Sequence, residues 1–205
     1  MYKLQMKFQR LIAFLCIAAA ALTFIYSLGC MTDLYFLYQL EAVDLEIELK
    51  GAEVFYEMQS FNKTFTDFSI VLILLAVVGL IFGNHNRRRY YVANYCTILI
   101  SSIANIGVAI WSYAEVLKYK AKFLSIDFGV IKNALESEDA PPQSVFINAG
   151  VDPENLTGPY STFWFDISIV AVVALVIVSV LSIINVLWKI SLMAAEKRAL
   201  AKGGR

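Results

Sequence analysis

One histidine, three cysteines and four prolines are all that this 205-residue chain holds of those types. Each scarcity excludes something. His85, in a polar loop, cannot build a multi-imidazole metal site, and a lone loop histidine is ordinarily solvated. Cys16, Cys30 and Cys96 form neither a disulfide framework nor a metal-ligand spacing. Charge is short as well, at 17% of residues against about a quarter in ordinary globular domains. The deficit is concentrated, because whole stretches carry no charge at all.

Four of those stretches, 11–32, 68–86, 90–114 and 167–188, come close to the roughly 20 helical residues that cross a bilayer core of about 30 Å. The last is rich in Val and Ile, which in water would favour strand. In lipid a lone strand leaves its backbone groups unpaired, so helix is expected there. Buried helices of soluble proteins seldom run past about 14 wholly apolar residues, which argues against a soluble bundle. The fold class expected is therefore an all-α membrane protein with four transmembrane helices.

The charges set its orientation. Lys3, Lys7, Arg10, Arg87, Arg88, Arg89, Lys189, Lys197, Arg198, Lys202 and Arg205 fall on one side of such a four-span chain, with Glu196 as that side's one acid. The remaining acids fall on the other side. Basic residues in short loops stay cytoplasmic, so both termini face the cytoplasm of a plasma-membrane protein, and Arg87, Arg88 and Arg89 fix the topology. Residues 1–10 form the cytoplasmic N-terminus, 87–89 the arginine loop and 189–205 a basic tail. Residues 33–67 and 115–166 lie outside. Trp111 and Trp164 fall at outer span ends, and Tyr90, Tyr91 and Trp188 at inner ends, where amphipathic rings favour the headgroup layer. A secretory signal is the competing account of the N-terminus, but its apolar core runs about 7–15 residues, shorter than 11–32. The SLGC stretch has Ser27 and Leu28 in the wrong order for lipidation at Cys30.

Outside the spans, VDLEIELK (43–50) alternates as a half-buried strand does, and EVFYEM (53–58) offers a second strand for a short hairpin. From Val116 the apolar positions Val116, Tyr119, Phe123, Ile126, Val130 and Ala134 recur every three or four residues. They predict an amphipathic helix continuing span three to about Glu136. Its stripe either packs on the chain's own first loop or docks another protein, with Trp111, Val116, Phe123, Ile126 and Val130 as the docking anchors. The prolines and several acids concentrate in a loop near 136–160, where QSVFINAG suggests a short strand. The acids lack the ordered spacing of a calcium loop. Asn62-Lys63-Thr64 and Asn155-Leu156-Thr157 are glycan acceptor patterns. Asp127-Phe128-Gly129 spells a kinase triplet without any other kinase element.

No titratable or nucleophilic groups converge, so no catalytic residue, cofactor, metal or nucleic-acid contact is expected. None of the four apolar stretches carries, at mid-membrane depth, an ionisable residue of the kind that pumps and proton-coupled transporters use. What they carry is small and amide side chains: Ser101, Asn105 and Ala109 on one face, Ala76, Gly79 and Gly83 on another, and Ser179, Ser182 and Asn185 stacked in the last. Such residues let helices approach and bond across, so Ser101, Asn105 and Asn185 are expected to pack helices.

The segments KFQRLIAFLC, MTDLYFLYQ, FNKTFTDFSIVLILL, RRRYYVANY, TFWFD and WKISLMAAEKRA together resemble a group of four-span membrane proteins from Gram-positive anaerobic bacteria. Members of that group accompany the permeases of carbohydrate ABC importers. The resemblance covers most of the chain, but its motifs are topological and transfer no binding or catalytic residue. It implies a non-enzymatic accessory subunit that docks on ABC permease subunits. Two other classes fit the same residues. One is a self-assembling tetraspan adhesion or barrier protein, pairing through VDLEIELK; the other is a homo-oligomeric channel lined by Ser101 and Asn105.

Overall fold

The structure, a computed structural model, describes residues 2–42, 51–85, 92–137, 140, 142–152, 156 and 160–203. Among them every regular element is helical: α1 (Tyr2–Gly29), a 3-10 turn (Thr32–Leu34), α2 (Tyr35–Ala42), α3 (Val54–His85), α4 (Val92–Leu124), α5 (Phe128–Leu135), α6 (Gln143–Ala149) and α7 (Phe163–Gly203). The segments that carry α1, α3, α4 and α7 are long and apolar enough to cross a membrane. At 1.5 Å per residue the 33 residues of α4 reach about 50 Å, more than the bilayer core requires.

The chain divides into two compact units, one of Met1–Ile25, Asp67–Ser112 and Val170–Arg205, the other of Tyr26–Thr66 and Tyr113–Ile169. In the first unit polar side chains share the interior with apolar ones, while much apolar surface faces outward. On α7, Ser179, Ser182 and Asn185 are buried, whereas Ile177, Ile184 and Leu187 are more than half exposed. Only 22–39% of the most apolar window of each long helix is enclosed. A soluble monomer does not leave that much contiguous apolar surface bare, so these helices are suited to lipid contact.

The second unit is held by aromatic rings. Phe123 is fully buried, with its ring centroid 5.4 Å from that of Phe128, 5.8 Å from Phe165 and 6.0 Å from Phe36. Tyr160 stacks on Phe128 at 3.9 Å. The Tyr119 hydroxyl donates to the Glu57 carbonyl at 3.2 Å, and Lys122 pairs with the Glu57 carboxylate.

Three expectations change here. The VDLEIELK strand lies outside the described residues, but EVFYEM is not its partner strand: it opens α3. Val54, Met58, Phe61, Phe65, Leu72 and Ala76 are all buried, a helical stripe that the six-residue window was too short to reveal. QSVFINAG forms α6 instead of a strand. Gly150 ends it at φ 66°, a left-handed conformation that glycine adopts without strain, and the Val151 N–H bonds back to the Phe146 carbonyl at 2.9 Å.

The third change concerns the helix after span three, which stops at Leu124 and does not continue to Glu136. Asp127 adopts an extended backbone, and its side chain accepts the Gly129 N–H at 3.0 Å, capping α5. The Asp-Phe-Gly triplet is thus a helix start. The break resets the helical phase by one residue, so Ile131 is buried and Val130 stays 39% exposed.

Candidate functional site

The first unit encloses a seam of polar side chains. Gln5 and Gln9, one turn apart on α1, meet Ser101, Ser102 and Asn105 of α4 and Ser182 and Asn185 of α7, all of them buried. The Gln5 side-chain amide lies 3.2 Å from the Gln9 oxygen and 3.4 Å from the Asn185 oxygen, linking the two ends of the sequence. The Ser102 hydroxyl turns back to its own helix, donating to the Ile98 carbonyl at 2.9 Å. Such bonds leave serine free of neighbouring helices and let the backbones pack closely.

Some of the seam is unsatisfied. Asn105 Oδ1, Gln9 Nε2, Gln5 Oε1 and Ser179 Oγ are enclosed with no hydrogen-bond partner. Gln9 and Asn105 also border a cavity of about 40 Å³, together with Cys16, Gly79, Ser101 and Asn185. A water needs about 10–15 Å³, so there is room for at least one. A residue with an unpartnered donor and one with an unpartnered acceptor therefore border the same small cavity. Among the described residues no charged side chain lines the cavity, so the chemistry they offer there is neutral hydrogen bonding.

Of the residues the sequence assigned to helix packing, Ser101, Asn105 and Asn185 sit inside this seam. The assigned docking anchors fare differently. Val116, Phe123 and Ile126 are 0%, 0% and 4% exposed, so the chain's own first loop and aromatic core occupy that face. It is not open to a partner, which corrects the expectation of a docking stripe. Val130 remains partly exposed, and Trp111 packs edge-on against Phe68 at 5.4 Å.

Arg87, Arg88 and Arg89 lie outside the described residues, as does Asn155. Asn62 sits within α3, not in a surface loop of the kind that glycan acceptors occupy. Cys30 is wholly buried, and all three cysteines are free thiols. Among the described residues no group of three His, Cys, Asp or Glu side chains could hold a metal.

Two features escaped the sequence. Gln5 and Gln9 were counted with the basic cytoplasmic N-terminus, although they are buried in α1 against the last helix. Asp33 was counted only as an outer acid. Its Oδ2 accepts the backbone N–H groups of Trp164 and Phe165 at 2.8 and 3.1 Å, closing the start of α7. No local signal could have revealed a cap whose donors lie 131 and 132 residues away. Searches of known protein families, curated proteins and solved structures found no match to this chain.

Proposed function

We propose that this chain is a non-enzymatic, four-span accessory subunit of a larger complex in the plasma membrane, with both termini cytoplasmic. Three things support this: the segregation of basic from acidic segments, the outward-facing apolar helices, and the resemblance to proteins that accompany carbohydrate ABC importers. That importer is the complex the resemblance favours, with its permease subunits as the contact.

The observation that carries the proposal is on α3. Only 22% of its most apolar window is enclosed, the least of the four helices. Ile70, Leu74, Val77 and Ile81 are exposed at intervals of four, three and four residues. That spacing forms one continuous ridge, the pattern by which helices dock side by side. Partner contact belongs to this ridge now that the stripe of α4 is occupied from within.

Purification from native membranes in mild detergent, followed by mass spectrometry, tests the role. Permease subunits should accompany the wild-type chain and be lost from an Ile70→Trp/Leu74→Trp variant that still inserts. Recovery of the chain alone, or with copies of itself only, would overturn the proposal.

A further inference from the structure

The second unit contains an open pocket of about 510 Å³ between the start of α2 and the segment leading into α7. Small-molecule sites occupy roughly 300–1,000 Å³. Its walls are the rings of Tyr35, Phe36, Tyr160, Phe163 and Trp164. Phe36 and Tyr160 stand 4.8 Å apart as one wall, and Phe163 meets Trp164 edge-on at 5.5 Å. Tyr35 and Phe163 remain 52% and 57% exposed, so ring surface is uncovered on two sides. Trp164 is seated by Gly29: a Cβ there would stand 2.3 Å from the indole.

Polar groups converge on the same space. Thr32, Gln39 and Ser161 offer neutral hydrogen bonding, and among the described residues Asp33 is the one charged member of the lining. The amino end of α7 offsets about half of its unit charge. Lys120, a nearby cation, is paired with Asp166. Among the described residues the pocket therefore keeps a negative balance, with no lysine or arginine in its lining.

That chemistry sorts ligand classes. An anion would meet a carboxylate and the negative faces of aromatic rings, without a counter-charge. A calcium or magnesium ion needs six or more oxygens, and one carboxylate does not provide them. A compact organic cation meets attraction from both sources, because ring faces bind cations and a tryptophan does so best.

We infer that this pocket binds a small organic cation of the trimethylammonium type, supplied as a free solute or as a choline lipid headgroup. This goes beyond the subunit role proposed above and does not depend on it. The full chain in phosphatidylglycerol nanodiscs, with Trp111→Phe and Trp188→Phe, leaves Trp164 as its one tryptophan. Titration with choline and with tetramethylammonium, against sodium chloride at matched ionic strength, should change its fluorescence saturably. Asp33→Asn keeps an acceptor for the helix cap but removes the charge, and Tyr35→Leu removes a ring. Each should weaken binding about tenfold or more with the helical circular dichroism unchanged. Adding phosphatidylcholine to the nanodiscs identifies the source: a response suppressed by the lipid means that the headgroup takes the pocket, and a preserved one means a free solute. No saturable response beyond the sodium control would overturn the inference. So would a response to glucose in place of choline, or one that either variant leaves unchanged.

Discussion

The Asp33 carboxylate accepts the backbone N–H of Trp164 at 2.8 Å, so a residue just past the first long helix caps the start of the last one. The Ser161 hydroxyl takes the Phe163 N–H at 3.0 Å, and between them the two side chains satisfy the first donors of α7. Those donors have no partner within the helix. Losing a side-chain cap costs about 1–2 kcal/mol. Asp33→Ala should therefore lower the thermal midpoint in detergent by several degrees, while Asp33→Asn retains most of the stability. Equal midpoints for the two variants would show that the cap contributes nothing.

Gly29 provides a test with an unusual sign. Replacing a helical glycine by alanine normally stabilises by about 1 kcal/mol. Here the added methyl would stand 2.3 Å from the Trp164 ring, so Gly29→Ala should destabilise. Gly79, with nothing within 4 Å of its would-be Cβ, should tolerate the same change. Thermal midpoints of the two variants, measured side by side, check the contrast.

The polar seam predicts coupling. Gln9 and Asn105 each bring an unpartnered atom to one small cavity. Replacing one by leucine leaves the other buried in less polar surroundings, at a cost of about 1–3 kcal/mol. Replacing both removes the mismatch. The double variant Gln9→Leu/Asn105→Leu should thus lose clearly less than the sum of the two single variants. Strict additivity in a double-mutant cycle would mean that the two amides do not share a site.

The helix break at Asp127 separates two neighbouring residues. Ile131 is fully buried and Val130 is 39% exposed. Ile131→Asp would place a charge in an apolar core, at a cost of several kcal/mol, and should abolish the folded second unit. Val130→Asp should leave protease resistance nearly intact. An unbroken helix with the sequence's original phase would give the reverse order.

How much of this was legible follows from the range of each interaction. The four long helices could be read because the scarcity of charge over 20 residues is a local signal and lipid leaves no alternative backbone. The stripe from Val116 to Phe123 was legible as one helical face, since Val116, Tyr119 and Phe123 obey the period. Its occupant was not, because Phe36 and Phe165 reach Phe123 from distant parts of the chain. EVFYEM misled because six residues are too few to show a helical period; extending the window to Phe65 and Leu72 reveals it. Asp127 carried a capping signal that its likeness to a kinase triplet obscured. The Asp33 cap had no signature in the sequence, because its geometry exists only once the helices are packed.

The central proposal is that four helices span the membrane with both ends of the chain on the cytoplasmic side. Lys3, Lys132 and Lys202 are all exposed, so cysteines placed there can report on sidedness. In a background with Cys16, Cys30 and Cys96 replaced by alanine, an impermeant maleimide should label Lys132→Cys in intact cells. Lys3→Cys and Lys202→Cys should react only after the membrane is permeabilised. Labelling of either terminal position from outside intact cells would contradict the account.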